Sequence, residues 1–376
     1  MHCILRPCLL SEDQKPPSQL AYSGATLYGH SDTMRIGLYI DLRNPLPWRR
    51  PWSHYYEQTL ERIERSEELG LDAAWLTEHH FFDDGYLPQP LTFAAAIAAR
   101  TRRIRIGTAV MIAGLRPAVD MAEQAAVVDV LSGGRLELGL GAGYRVPEFA
   151  AFGADMHERY ELLELRAREI RELWSEGGVT PMPLQERPPL WIGGRGPRAA
   201  RIAGRLGEGI LSLGSEILEP YRKALTGMGH PLTSARLGGL ANLIIADDPE
   251  RAWAQIKPHL AYQWSTYHHY GKEGTGEVRS AAIGAIAEDF DANALRSEGP
   301  DMSPPNFDVV RPDEAVSRLR RWLGSAPVSD VFFWDTIAGM PDELADRHVY
   351  LLAKEVAPAL ADFGIRSNTA DRCSVL

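Results

Sequence analysis

The sequence predicts a single (β/α)8 barrel, an α/β fold of the TIM-barrel class, with an insertion before the last strand. Three observations predict it. Eight apolar, strand-like segments alternate with helix-like segments from Met34 onward, glycine or proline marks many of their boundaries, and no internal repeat divides the chain. The length of 376 residues also suits one large barrel. Eight strand–helix units favour a closed parallel barrel over an open sheet.

The first half of the chain shows this alternation most clearly. Tyr56, Leu60 and Ile63 recur at helical spacing, and Gly70 ends that predicted helix. In chain order we predict strand Arg35–Ile40, helix His54–Leu69, strand Ala73–Leu76, helix Leu91–Ala99, strand Ile104–Val110, helix Met121–Leu131, strand Leu136–Leu140 and helix Glu158–Trp174. Each of these four strands is therefore followed by a helix.

The second half repeats the pattern less regularly. We predict strand Leu190–Ile192, helix Pro197–Leu206, strands Ile210–Leu213 and Leu240–Ala246, helices Pro249–His259 and Pro312–Leu323, strand Val328–Trp334 and a closing helix, Pro341–Phe363. The stretch Tyr262–Pro305 interrupts the rhythm and is rich in tyrosine, histidine, glycine and acidic residues. Long connections of this kind are usually functional lids or disordered segments. We predict that 262–305 is a lid insertion over the barrel mouth.

The ends of the chain lack this periodicity. The apolar patch Cys8–Leu10 is too short for the core of a secretory signal, and serine, proline, glutamine and glycine follow it. We interpret residues 1–33 as a disordered extension, for which an upstream start codon would account. Residues 34–365 are the expected barrel domain, and 366–376 the expected flexible tail.

Composition and charge exclude several classes of protein. The net charge is −10 and basic residues are interspersed with acidic ones, which argues against a nucleic-acid partner. The only cysteines are Cys3, Cys8 and Cys373, so the body of the chain has no disulfide framework or cysteine nucleophile, as is typical of a cytoplasmic protein. No window reaches the ~18 uninterrupted apolar residues of a membrane span, so we expect no membrane association.

The end of the second predicted strand carries the first candidate site, Thr77–Phe81. In such barrels the chemistry lies at the carboxyl ends of the strands, and a histidine there can act as a general base near neutral pH. His79 is the candidate base, and Glu78 can set its tautomer or cap the loop. The alternatives are a structural pair formed by His79 and His80, or a metal site. Spacing suggests no third metal ligand, so we expect no metal.

Small residues end the next two strands. Ala109 ends the third strand, and Gly139, Gly141 and Gly143 alternate through the end of the fourth. Such positions leave room for a planar ligand against the backbone. Tight barrel packing and a glycine-rich corner are the alternative explanations. The glycine series is not a dinucleotide-binding fingerprint, because no helix opens from it at the required spacing.

The fifth strand runs into a glycine-rich turn, Gly193–Pro197, at the start of a helix. Backbone N–H groups of such a turn can hold an anion, and Arg195 and Arg198 add positive charge. The turn therefore predicts a site for a phosphate monoester. The alternative is an ordinary helix start with solvated arginines.

Taken in order, these four segments resemble the luciferase-like monooxygenase family, the flavin-dependent bacterial luciferase superfamily. The resemblance spans Met34–Leu213 well and continues more loosely through Val331–Leu360. Thr77–Phe81, Ser132–Tyr144 and Gly193–Pro197, in this order and spacing, are jointly specific although each alone is weak.

The resemblance implies that reduced flavin mononucleotide (FMN) lies across the strand ends. Its ring would lie over Ala109–Val110, where family members can have a non-prolyl cis peptide, and beside Gly141, Gly143 and Tyr144. His79 matches the active-site base of the family. Glu78 and His80 are its expected catalytic neighbours.

The cofactor phosphate would bind the turn formed by Gly193, Gly194, Arg195 and Gly196. This sequence departs from luciferase at one relevant position, since Ala142 stands where luciferase has a phosphate-binding arginine. Arg195, Arg198 or Arg159 can replace it, and the sequence does not choose among them.

The resemblance further implies a flavin-dependent monooxygenase that uses reduced FMN, supplied by a separate flavin reductase, and molecular oxygen on a small organic substrate. Family members are commonly homodimers, so a homodimer is expected. Two alternatives stay open. One is a deazaflavin-dependent oxidoreductase that transfers hydride without oxygen, and the other is a non-catalytic flavin-binding barrel.

Overall fold

The computed structural model describes residues 34–271, 290–296, 307–324, 326–361 and 363. Several sequence-based predictions fall on other residues. The extension 1–33, the tail 366–376 and the parts 272–289 and 297–305 of the predicted lid lie outside the described residues.

Eight parallel strand positions close into a barrel, which confirms the predicted (β/α)8 fold. Its strands are β1 Arg35–Ile40, β2 Ala73–Leu76, β3 Arg105–Thr108, β4 Met111–Ile112, β5 Leu136–Gly141, β6 Leu190–Gly193, β7 Gly209–Leu211, β8 Leu237–Ala241 and β11 Val328–Trp334. The order is β3-β2-β1-β11-β8-β7-β6-β5-β4, and pairing of β3 with β5 closes the ring. β3 and β4 pair with successive parts of β5 and together form one barrel strand.

Helices follow the strands as the periodicity predicts. They are α1 Trp52–Leu69, α2 Pro90–Arg100, α3 Ala118–Ser132, α4 Val146–Phe152, α5 Arg159–Ser175, α6 Pro197–Leu206, α7 Leu218–Gly227, α8 Pro249–Gly271, α9 Pro312–Leu323, α10 Asp342–Leu351 and α11 Ala357–Leu360. α1 and α3 end at Gly70 and Gly133, both with positive φ, as glycine-terminated helices commonly do. No helix in the described ranges combines the length and apolarity needed to cross a membrane.

Aromatic side chains fill the middle of the barrel. Trp75 lies edge-on to Trp191 at 5.9 Å and tilted against Phe332 at 5.2 Å, measured between ring centroids. Two glycines make space for these rings, because a Cβ on Gly107 would lie 2.2 Å from the Trp75 ring and one on Gly209 2.4 Å from the Trp191 ring. The barrel is therefore a packed core rather than a pore.

The amino end of the barrel is closed by buried charges. The Arg35 guanidinium, on the first residue of β1, forms salt bridges to Glu137 and Asp330. Glu137 also accepts a hydrogen bond from the indole N–H of Trp191 at 2.8 Å. These groups neutralise one another at the amino end of the barrel.

Three sequence-based boundaries were wrong. The predicted strand Leu240–Ala246 is two elements, the barrel strand β8 and a separate strand β9 Leu243–Ile245, which pairs with β10 Asp308–Val310. The glycines of β8 hid its start, since Gly238 packs against Asp330 where a side chain was expected. The predicted closing helix is interrupted by a π-helix at Leu352–Val356.

The third wrong boundary is the end of the predicted helix Pro249–His259, which corresponds to α8. The helix continues past Pro258 to Gly271 and so includes the first ten residues of the predicted lid as helix. Proline inside a helix costs about 3 kcal/mol. Burial of Ile256, Leu260 and Tyr262 in a second hydrophobic cluster, which also contains β9 and β10 residues, offsets that cost.

Candidate active site

The carboxyl ends of β1, β2, β4, β5 and β6 meet at one mouth of the barrel, and α8 packs over the end of β1. The predicted base lies here. The chain turns sharply after β2, where Phe81 has a φ of 61°, and this turn presents the His79–His80 pair. Both histidines are almost fully buried.

His79 is held by a glutamate that the sequence analysis did not select. Its Nδ1 lies 2.9 Å from Oε1 of Glu148, which is fully buried in the first turn of α4. The same Oε1 accepts the backbone N–H of His80 at 2.8 Å. A carboxylate only accepts, so Nδ1 carries the proton and Nε2 is left as the acceptor. The arrangement is that of a general base oriented by a carboxylate.

Glu78 belongs to a different network. Its Oε1 lies 3.0 Å from Nε2 of His80 and 2.5 Å from Arg116, and its Oε2 accepts the backbone N–H of Ile112 at 2.6 Å. Glu78 therefore contacts His80 and not His79; of the two roles considered for it, it binds a backbone N–H, that of Ile112, rather than setting the tautomer of His79. The two histidines have separate glutamate partners because consecutive side chains of the turn point in different directions.

Aromatic rings surround the His79 imidazole on three sides. The centroids of Phe82, Tyr86 and Tyr144 lie 5.2, 4.8 and 5.0 Å from it. The hydroxyls of Tyr86 and Tyr267 lie 2.9 Å apart, which ties the loop after β2 to helix α8. Burial raises the pKa of Tyr86 and of Tyr267 well above the usual value, so both phenols stay protonated hydrogen-bonding groups.

The Ala109–Val110 peptide between β3 and β4 is cis, as the resemblance implies. The glycines beside it serve a different purpose from the one expected. A Cβ on Gly141 would lie 2.3 Å from Cγ2 of Val110, and one on Gly193 would lie 2.4 Å from Cγ1. Both glycines thus admit the side chain of Val110, and Gly139 lies against the backbone of Thr108. The space in which side chains at Gly141 and Gly193 would lie is filled by Val110.

Gly143 and Tyr144 continue from β5 towards the mouth. Gly143 has a φ of 72°, and a Cβ there would lie 2.7 Å from Ile112. Tyr144 is half-buried, and burial raises the pKa of its phenol above the usual range. Its contact with His79 brings together two residues that the sequence analysis assigned to separate segments.

The predicted anion-binding turn lies at the start of α6. Gly196 is the residue before the helix and has no side chain to cap the first N–H groups, and Pro197 begins the helix. A Cβ on Gly196 would meet no atom within 4 Å, so this helix end is open. Free N–H groups at a helix start favour an anion.

Two of the three candidate arginines contact one aromatic ring near the start of α5. The guanidinium carbons of Arg198 and Arg159 lie 4.3 and 5.0 Å from the centroid of the same ring, Tyr160. Arg198 also pairs with the exposed Glu161 at 2.5 Å. Arg195, in the turn itself, is exposed.

The end of β1 supplies two charged residues that the sequence analysis missed. Asp41 and Arg43 are both buried, and burial raises the pKa of Asp41 to about 7, although the charge of Arg43 opposes this. Charged residues directly after an apolar strand were the available signal, as at β2. Glu148 had a similar signal, a lone acid in the apolar stretch Val146–Phe149. Across the described ranges, no three His, Cys, Asp or Glu side chains are placed to hold a metal ion.

Comparison with known proteins gives both kinds of relative that the sequence analysis considered. The model of the luciferase-like monooxygenase family matches residues 34–321. The F420-dependent glucose-6-phosphate dehydrogenase of Microbacterium testaceum (strain StLB037) is 32% identical over 322 residues, covering 78% of this chain and 90% of the relative. The oxygenase component of flavin-dependent trigonelline monooxygenase from Acinetobacter baylyi is 23% identical over 361 residues, covering 88% and 96%.

A solved structure supports the same fold. The oxygenating constituent of 3,6-diketocamphane monooxygenase from Pseudomonas putida, in complex with FMN, has a TM-score of 0.66 at 17% identity, covering 87% of this chain and 98% of that one. The family match covers well over half of the chain, and the closed parallel barrel agrees with it. The chain belongs to the luciferase-like monooxygenase family.

Proposed function

We propose that this protein is a monooxygenase that uses reduced FMN and molecular oxygen on a small organic substrate, with reduced FMN supplied by a separate flavin reductase. The observation that carries the proposal is the shared barrel mouth. A base oriented by a carboxylate, His79 with Glu148, opens on the same side as the anion-binding turn at α6. A redox cofactor with a single terminal phosphate suits that combination.

The residues present fit such a cofactor. The turn Gly193–Gly196 offers an uncapped helix start, Arg198 lies in the first turn of that helix, and Arg159 shares the Tyr160 ring with Arg198. Charge-assisted hydrogen bonds from arginine to phosphate are strong. Ala109 and Val110 are half-buried at the strand end between this turn and His79 and present little bulk to a flat ring.

The protein's own part in the reaction is to move a proton and to exclude water. FMN, when bound in its reduced form, supplies the electrons for oxygen chemistry. His79 can accept a proton at Nε2, and Glu148 stabilises the imidazolium that results. Phe82, Tyr86 and Tyr144 surround that imidazole and limit its access to water, which suppresses side reactions of reactive species.

Relatives support a second candidate, an F420-dependent oxidoreductase that transfers hydride. A glucose-6-phosphate dehydrogenase that uses F420 is 32% identical to this chain. The monooxygenase is favoured because the Glu78-His79-His80 motif resembles the oxygen-using branch, and because the anion site is compact. The relative from Acinetobacter baylyi is named an oxygenase component, which supports a separate reductase as partner here. The oriented base argues against a non-catalytic flavin-binding barrel.

An anaerobic titration tests the cofactor. The purified protein is titrated with reduced FMN and, separately, with reduced F420, and oxygen is then admitted to each sample. We expect tight binding of reduced FMN and an altered course of its reoxidation by oxygen. Tight binding of F420 alone, with FMN reoxidised as in free solution, would overturn the monooxygenase proposal and leave the fold untouched.

Two arginine variants on one helix test the phosphate site. Arg198→Ala is expected to weaken FMN binding ~10-fold, since it removes a charge-assisted contact at the turn. Arg205→Ala is the matched control, because Arg205 is an exposed residue on the same helix that pairs with Glu164. Equal effects of the two variants would place the phosphate elsewhere.

A further inference from the structure

We propose that Arg43 and Gln263 form the polar end of the substrate site and bind a neutral group that both accepts and donates a hydrogen bond, such as a primary amide or a hydroxyl. The inference deepens the proposed function and rests on it only for the assignment of the ligand as substrate. The contact between the end of β1 and α8 would then help to determine which substrates bind.

Arg43 is a buried cation with one unused donor. Its Nε donates to Asp84 at 2.7 Å and its Nη2 donates to Oγ1 of Thr266 at 2.6 Å. Its Nη1 is buried and has no hydrogen-bond partner among the residues that the structure describes. A buried polar atom without a partner costs about 1–3 kcal/mol and calls for a functional explanation.

Gln263 supplies the complementary atom. It lies one helical turn before Thr266 on α8 and thus on the same face of the helix. Its Nε2 donates to Asp41 at 3.4 Å, while its buried Oε1 has no partner within the described part of the chain. Arg43 and Gln263 both bond to the carboxyl group of Asp41, so the residue with the unused donor, just after β1, and the residue with the unused acceptor, on α8, flank one side chain. A single group that accepts from one and donates to the other satisfies both.

The local charges favour a neutral group over an anion. The Arg43 guanidinium already pairs with Asp84, and Asp41 accepts the backbone N–H of Arg43 at 3.1 Å. Two buried carboxyl groups thus face one guanidinium, and the pKa of Asp41 is raised to about 7 by burial. The other ionisable groups nearby, Tyr86 and Tyr267, stay protonated. A ligand carboxylate would add a further negative charge to this cluster.

Arg43 and the proposed base His79 contact the same two aromatic rings. The Arg43 guanidinium carbon lies 5.5 Å from the centroids of both Phe82 and Tyr86. The His79 ring lies 5.2 and 4.8 Å from those centroids. Phe82 and Tyr86 thus each contact both groups, which places Arg43 and His79 in one aromatic cluster at the barrel mouth.

Three matched probes test the inference by binding rather than turnover. Dissociation constants of benzamide, N,N-dimethylbenzamide and benzoate are measured by ligand-observed NMR, with and without FMN. Benzamide both donates and accepts, whereas the other two only accept and benzoate is also charged. We expect benzamide to bind ~10-fold more tightly than either, since each of the others leaves the Gln263 acceptor unsatisfied. Equal affinities would overturn the inference.

Variants distinguish hydrogen bonding by Arg43 and Gln263 from a contribution of these side chains to packing. Gln263→Met should abolish the preference for benzamide, and Arg43→Lys should do the same while keeping a cation beside Asp84. Gln124→Met, on helix α3 away from the mouth, is the control and should keep the preference. If Arg43→Lys does not fold, Gln263→Met alone decides. A crystal structure in which benzamide leaves both atoms bound only to water also contradicts the inference.

The cofactor proposal and this inference fail differently. If FMN does not bind but wild type prefers benzamide and Gln263→Met does not, the proposed monooxygenase function is wrong and the Arg43–Gln263 binding site is supported. If FMN binds and oxygen is used but the protein shows no preference for benzamide, the Arg43–Gln263 binding site is wrong.

Discussion

Oε1 of Glu148 lies 2.9 Å from Nδ1 of His79, although the two residues are 69 positions apart in the sequence. The carboxylate is fully buried, and it also accepts the backbone N–H of His80. It therefore determines both the tautomer of His79 and the shape of the turn that carries it.

Replacement of this carboxylate should impair turnover more than folding. Glu148→Gln keeps the size of the side chain and an acceptor oxygen but removes the charge that stabilises an imidazolium. We expect turnover to fall at least ~10-fold with FMN affinity nearly unchanged. Glu169→Gln, on the surface of α5, is the control and should match wild type. Unchanged turnover in Glu148→Gln would remove Glu148 from the proton-transfer apparatus.

The two adjacent histidines should respond differently. His79→Ala removes the proposed base and should lower turnover ~100-fold or more while the protein stays folded and binds FMN. His80→Ala removes the partner of the buried Glu78 and should lower the melting temperature more than His79→Ala does. Steady-state kinetics and thermal melts of both variants check this. The opposite order of thermal effects would make His79 the structural residue.

The packing of Val110 between two glycines predicts a rescue. Gly141→Ala places a Cβ 2.3 Å from Cγ2 of Val110 and should destabilise the protein by about 1–3 kcal/mol. Val110→Ala in the same chain removes the clash and should restore much of the loss. Gly227→Ala is the control, because a Cβ there meets no atom within 4 Å. Chemical denaturation of wild type, the three single variants Gly141→Ala, Val110→Ala and Gly227→Ala, and the double variant measures these effects. If the stability changes of the two single variants simply add in the double variant, Val110 is not the residue that the new methyl group contacts.

Buried His348 predicts a pH dependence of stability. Its Nδ1 accepts the backbone N–H of Ile245 at 2.8 Å, its Nε2 lies 3.1 Å from the carbonyl oxygen of Trp334, and burial lowers its pKa to about 4. The unfolded imidazole takes up a proton below pH 6.5 while the folded one stays neutral down to about pH 4. Unfolding is therefore favoured as pH falls through this window, by up to ~1.4 kcal/mol per pH unit.

Denaturation of wild type and His348→Gln between pH 7 and pH 4.5 measures this contribution. The variant should be less stable at pH 7, where it lacks both hydrogen bonds, and should lose less stability on acidification. His157→Gln, an exposed histidine, should follow wild type throughout. Parallel pH profiles for wild type and His348→Gln would mean that His348 titrates alike in the folded and unfolded chain.

Errors in the sequence-based elements came from residues whose structural meaning depends on distant partners. The glycines at 238 and 239 weakened the apolar signal of β8, yet they are required because β8 packs closely against Asp330 and Leu213. Pro258 indicated a helix end, yet the apolar face of α8 extends beyond it. Helices α4 and α7 were not predicted, since neither carries a long periodic stripe.

The site shows the same limit. Sequence patterns selected His79, the Ala109–Val110 position and the turn Gly193–Gly196, because each lies directly after a strand and strand ends share one mouth of a barrel. They left open whether Glu78 sets the tautomer of His79 or caps the loop, because a sequence displays only proximity along the chain. The structure pairs His79 with Glu148, and it shows that Gly141 and Gly193 make room for the side chain of Val110.

By itself the sequence determined the class of fold, the order of its units and the segments from which a site could form. Those properties depend on local periodicity, helix caps and turn residues, which are readable within a few residues. Tertiary structure alone decided which side chains meet, as for Arg43, just after β1, and Thr266 of α8, 223 positions apart. Closure of the barrel brings such residues together, and no local pattern contains the distance between two segments that are remote in the chain.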